Sequence, residues 1–156
     1  MTEYLLTKWV HILSSTLLFG TGIGSAFYLL VSTLRRDTVV VAAVARIVVL
    51  ADLLFTATTA VLQPLSGFWM VHLGKLPLDQ PWLKWSIWLY VVAVACWLPV
   101  VWLQIRLRDI AVAAAARHEP LPRAYDRLFA WWVALGVPAL LSFLAIFWLM
   151  VAKPTL

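Results

Sequence analysis

Charge is what this sequence has little of. Asp and Glu number 7 and Lys and Arg 12 among 156 residues, so charged side chains make up 12% of the chain, about half the share of an ordinary soluble domain. That is too little polar side chain to cover a globule of this size, which excludes a water-soluble fold. Cysteine is almost missing as well. Cys96 stands alone inside an apolar run, which excludes a disulfide, a paired-Cys metal site and a Cys-x-x-Cys-His haem attachment. There is no Gly-rich phosphate loop, no triad spacing and no His-Glu-x-x-His, and Ser14 and Ser15 near His11 have no carboxylate to orient a base. Hydrolase chemistry is therefore unsupported.

What the chain has is apolar length. Hydrophobic residues make up 64%, against about 45 to 50% in soluble domains, which also excludes a disordered tail. A chain of 156 residues holds four membrane spans of about 20 residues with short connections. The runs fall at residues 9–31, 47–71, 83–103 and 128–151, and predict an all-α, four-helix transmembrane bundle in one domain. The second helix is expected to start near Thr38 and to bend at Pro64, and the Ala-rich stretch Ile110 to Ala116 to prolong the third before Pro120 and Pro122. Gly24, Ser25 and Ala26 resemble a signal-peptide cleavage site, but Glu3 and Lys8 cancel ahead of the first run and the arginines follow it, so it reads as a span.

The cations sort by side. All eight arginines, from Arg35 to Arg127, lie at or between the first and second spans or the third and fourth, whereas Lys8, Lys75, Lys84 and Lys153 lie at the opposite ends. By the positive-inside rule both termini and the middle loop are outside, in the periplasm of a bacterial inner membrane. The formal charge of +5 is then a cytoplasmic face that attracts anionic lipid, and nucleic acid is excluded as a partner. Most of the ten tryptophans fall near the span ends, where indole favours the headgroup level.

A polar residue within a span is costly, so each one needs a reason. His11 is followed at steps of three and four by Ser14, Ser15, Leu18, Gly22 and Ser25, a narrow face of small and polar side chains, with Gly20 and Gly24 on a neighbouring strip. That face suits tight helix packing or a flat ligand. His72 ends the second span at a depth similar to His11. Two imidazoles on neighbouring antiparallel helices can supply axial ligands to the iron of a b-type haem. Lys8 and Lys84, on the same side, would complete a cationic pocket for porphyrin propionates, or else reach the headgroups. Asp52 lies deep in the second span. Arg46, six residues earlier and about 120° around the helix, is a poor partner for it. Asp52 is expected to form an ion pair with Arg106 or Arg108, or to keep its proton and serve as a proton relay. Pro64, beside Gln63, frees a backbone carbonyl that a hydroxyl, water or ligand must satisfy.

The strings Lys8-Trp9-Val10-His11, Phe19-Gly20-Thr21-Gly22-Ile23-Gly24, Gln63-Pro64-Leu65-Ser66-Gly67 and Trp97 through Arg108 resemble an uncharacterised bacterial family of predicted integral membrane proteins, over nearly the whole chain. Lys8 and His11, with Arg46 and the segment Trp82 to Lys84, are also remotely similar to the membrane protoporphyrinogen oxidase family. That likeness implies a small helical membrane protein with b-type haem. The oxidase family carries a further histidine in its third helix, where this chain has Ala95 and Cys96, so His72 stands as the substitute ligand.

Two functions stay open on these residues. One is redox or haem handling by a haem-dependent oxidoreductase, with a porphyrin or quinone as its small-molecule partner. The other is a non-catalytic accessory subunit or small-molecule carrier, in a homo-oligomer or a larger membrane complex. An absorption spectrum separates them: the haem reading predicts a Soret band in the detergent-purified protein that His11→Ala abolishes, and a colourless, folded protein opposes it.

Overall fold

The computed structural model describes residues 2–154. They form α1 (Thr2–Arg35), α2 (Thr38–Ala51), a π-helical turn (Asp52–Thr56), α3 (Ala57–Gly74), α4 (Pro81–Ala116) and α5 (Arg123–Ala152), and no strand occurs among them. The turn joins α2 and α3 into one continuous run, Thr38–Gly74, giving four helices long and apolar enough to cross a membrane. The 36 residues of α4 rise about 54 Å, well beyond a hydrocarbon core of about 30 Å. Each helix therefore projects past the apolar layer or tilts within it.

Local chemistry sets the helix ends. The Asp37 carboxylate caps α2 by accepting from the Val39 and Val40 N–H groups at 3.0 and 3.1 Å, satisfying donors a helix start leaves free. Pro81 occupies the first turn of α4, where its missing N–H costs nothing. Pro122 precedes α5. The α4 helix runs through the Ala-rich stretch to Ala116, as its composition requires.

Packing is uneven along the bundle. Near the arginine-bearing ends, α2 lies against α4 and α4 against α5, with Ala42, Ala45, Leu107, Ala111 and Tyr125 buried between them. Small residues at such a seam let backbones approach closely, the main source of helix affinity in lipid. There Tyr125 Oη pairs with Thr33 Oγ1 at 2.8 Å and Arg36 Nη1 donates to Asp126 Oδ1 at 2.6 Å, so α1 meets α5 at this end. Toward the lysine-bearing ends α1 packs on α3, and Phe19 meets Phe147 edge to face at 5.0 Å.

Pro64 lies inside α3 and leaves the Ala60 carbonyl without its helical donor. The Tyr90 hydroxyl of α4 donates to that carbonyl. The sequence expectation that a hydroxyl, water or ligand must reach this carbonyl is thus met by a residue of the chain itself, and the bond ties the second span to the third. The close approach expected at the glycine strip of α1 is not made: a Cβ added at Gly20, Gly22 or Gly24 meets nothing within 4 Å.

Candidate functional site

Two polar clusters lie within the spans. The first surrounds His11. Gln63 Nε2 lies 3.1 Å from His11 Nε2 and Ser66 Oγ lies 2.8 Å from His11 Nδ1. With the Gln63 amide nitrogen donating, Nε2 accepts and Nδ1–H donates to Ser66, whose hydroxyl donates to the Leu62 carbonyl at 2.7 Å. Both ring nitrogens of His11 are thereby engaged by side chains of α3. Gly67 packs against the ring, for a Cβ there would lie 3.3 Å from His11 Cε1.

His72 does not join this cluster. Five residues beyond Gly67, it lies about 140° around α3 from the face that touches His11, is exposed, and stacks on Trp69 at 5.4 Å. Lys8 and Lys84 are exposed at the same end of the bundle. Among the described residues no group of three or more His, Cys, Asp or Glu could hold a metal. These residues do not fit a b-type haem held by His11 and His72: both ring nitrogens of His11 are engaged by Gln63 and Ser66, and His72 lies on α3 away from the face that His11 touches. On the small and polar face of α1, Ser14 is buried and donates to the Thr59 carbonyl at 3.4 Å, whereas Leu18, Gly22 and Ser25 line a cavity.

The second cluster is centred on Asp52, which is 4% exposed. It opens the π-helical turn, where the Ala57 N–H bonds back five residues to the Asp52 carbonyl. Such turns insert a residue into a helix and are frequent at functional sites. Thr56 Oγ1 donates to Asp52 Oδ1 at 3.0 Å and Ser25 Oγ at 3.4 Å, and the Gln104 amide is turned toward the same carboxyl. The ion pair expected with Arg106 or Arg108 is not formed. Arg108 bonds its neighbour Asp109 at 2.8 Å, and the other described ion pairs are Arg36 with Asp126 and Arg117 with Glu119. Arg106 is exposed, and Arg46 too, lying outside this cluster as the helix spacing requires. Asp52 thus has two hydroxyl partners, with Gln104 on the same wall, and no cation.

Asp52, Ser25, Thr56 and Gln104 line a cavity of about 430 Å³ enclosed by α1, the π-helical turn, α4 and α5, whose other walls are almost wholly apolar. It lies where α1 and α5 stand apart, between the Phe19–Phe147 contact and the Thr33–Tyr125 bond. Its α1 and α5 walls include Ile23, Phe27, Val137 and Leu140, which are 38 to 58% exposed, so the cavity gives onto the lipid along this seam. The Trp97 and Trp132 indole N–H groups and Gln104 Oε1, all on cavity-lining residues, are buried without a partner.

Sequence reasoning passed over Gln104, Tyr90, Trp97 and Trp132 as parts of a site. A signal was present. Tyr90, Ala93, Trp97, Val100 and Gln104 recur at steps of three and four along α4, and all line the cavity. A glutamine on such a stripe is costly in hydrocarbon, as Asp52 is. The π-helical turn left no such trace, since Asp-Leu-Leu-Phe-Thr contains neither Gly nor Pro.

The family of predicted integral membrane proteins DUF2269 matches residues 5–154. No curated protein and no solved structure matches the chain.

The His11 cluster acts as a bolt between α1 and α3. Removing the ring in His11→Ala strands Gln63 and Ser66, which lowers stability by about 1–3 kcal/mol, whereas the exposed His72→Ala stays within about 0.5 kcal/mol. Unfolding in detergent by heat or by denaturing surfactant measures both, and equal losses for the two variants would contradict the assignment.

Proposed function

The chain belongs to the DUF2269 family of predicted integral membrane proteins, and we propose that it binds a lipophilic small molecule within the bilayer, as a carrier or binding subunit. The observation that carries this reading is the cavity between α1 and α5: an apolar space with one buried, cation-free carboxyl on its wall and a long seam facing the lipid. Ligand pockets are concave and mostly apolar, with a few placed polar groups, and a polar residue deep in a span is most often functional. A molecule dissolved in the membrane reaches this space sideways, without crossing the headgroup layer. The arginine-bearing ends are read as cytoplasmic on the positive-inside rule. No nucleophile and base pair stands beside the cavity among the described residues, so binding is the role its walls support.

Gly136 supplies the means of a test. It lines the cavity, and a Cβ placed on it meets nothing within 4 Å, so a larger side chain can enter the space without colliding at its root. A neutral, membrane-partitioning photoreagent such as trifluoromethylphenyl diazirine, activated with the protein in nanodiscs, is expected to mark the cavity walls on α1 and α5 above the lipid-facing background. Gly136→Leu should lose that excess labelling while staying folded. Labelling spread evenly over all lipid-facing positions, unchanged in Gly136→Leu, contradicts a ligand-accessible cavity.

A further inference from the structure

We propose that the ligand is a lipophilic organic cation, a quaternary ammonium or phosphonium in character, and that it enters the cavity in exchange for a proton on Asp52. This rests on the ligand-binding reading above and adds the charge of the ligand and the ion it displaces.

The first support is charge balance. Transfer of a lone carboxylate into an apolar environment costs so much that such a group keeps its proton unless a cation joins it. The side chains facing Asp52 carry no cation: Ser25 comes from α1, Thr56 from the π-helical turn and Gln104 from α4, and the α5 wall of the cavity is built of uncharged residues. On α2 the nearest cation in sequence, Arg46, is exposed. The one other ionisable side chain on the cavity wall is Tyr90, whose hydroxyl donates to the Ala60 carbonyl. Gln104 Oε1, on the same wall, is buried without a donor. In the empty cavity the site is neutral with the proton on the acid. With a monocation bound it is neutral again with the proton released to water, so charge balances at every stage.

The second support is the wall itself. Phe19, Phe27, Tyr90, Trp97, Trp132 and Phe143 line the cavity. Aromatic enclosures of this kind receive quaternary ammonium groups through the negative faces of their rings, most strongly where water is excluded. A neutral carbonyl ligand, such as a quinone, would accept from the Asp52 proton and release none, and the Trp97 and Trp132 N–H atoms are buried. What the wall offers is one acid and many rings.

The probe is tetraphenylphosphonium, titrated by equilibrium dialysis against the 156-residue chain in uncharged detergent, with a pH-sensitive dye in weak buffer counting protons. Saturable binding with one proton released per cation is expected, and affinity should fall as the pH is lowered. Asp52→Asn should weaken binding about a hundredfold or more while keeping the diazirine labelling along the α1 and α5 seam, and Asp52→Glu should restore it. Gly136→Leu should lose both cation and label. Equal binding by wild type and Asp52→Asn, or binding without proton release, overturns the inference. So does saturable binding of a neutral short-chain quinone with none of the cation; in that case the labelled cavity still stands as a ligand site. Loss of the labelling in the wild type brings down the ligand-binding reading itself. Where Asp52→Asn fails to fold, the proton count on the wild type decides.

Discussion

The fold is organised by the cost of placing a polar or charged group in hydrocarbon. Each unsatisfied backbone or side-chain group there costs several kcal/mol, so every polar residue in a span has to be bonded, neutralised or used. Asp52 is the sharpest case. The chain surrounds it with two hydroxyls and an amide, withholds all twelve of its Lys and Arg side chains from ion pairing with it, and sets it on a π-helical turn facing an apolar cavity. A structural ion pair would have been built otherwise: Arg106 and Arg108 lie on the helix that α2 packs against, yet Arg108 is engaged by Asp109.

The same constraint explains most of the hydroxyls, although the Trp97 and Trp132 indole N–H groups remain buried without a partner. Hydroxyls of Ser15, Thr16, Ser32, Thr58, Ser86 and Ser142 return to carbonyls three or four residues back in their own helices, so they are satisfied without joining a site. Between helices the bonds are fewer and each fixes a relative position. Tyr90 compensates Pro64, His11 links Gln63 and Ser66, and Thr33 meets Tyr125. Together these hold α1 against α3, and α1 against α5 at the arginine-bearing end. The middle of the α1 and α5 seam has no such bond among those described, and the cavity lies there.

Much of the architecture was legible in advance, because four apolar runs and a scarcity of charge leave few alternatives. The end of α4 at Ala116 and the need for a donor to the carbonyl that Pro64 frees were legible for the same reason: composition and proline chemistry act locally. The candidate site was legible only in part. Asp52 stood out, since a carboxylate in an apolar run is visible by itself. His11 stood out too, but its partners Gln63 and Ser66 come from another helix, and their consumption of both ring nitrogens could not be read from spacing. His72 at matched depth with His11 was a statement about height along the bundle; the angle around α3 separated them. Gln104, Trp97 and Trp132 become a site only when α4 and α5 are brought opposite α1, a matter of tertiary placement.

The resulting picture is of a bundle closed at its arginine-bearing end and parted along one lipid-facing seam, with the Asp52 carboxyl on the wall of the gap. The proton proposed for that carboxyl is the point on which ligand charge and exchange turn. Infrared difference spectroscopy of the ligand-free protein in nanodiscs at neutral pH observes it directly. A carboxylic-acid C=O stretch present in the wild type and missing in Asp52→Asn is the expected result. An Asp52 signal found solely in the carboxylate bands would show a charged group with a counter-ion beside it, and would contradict a neutral acid waiting in an empty apolar cavity.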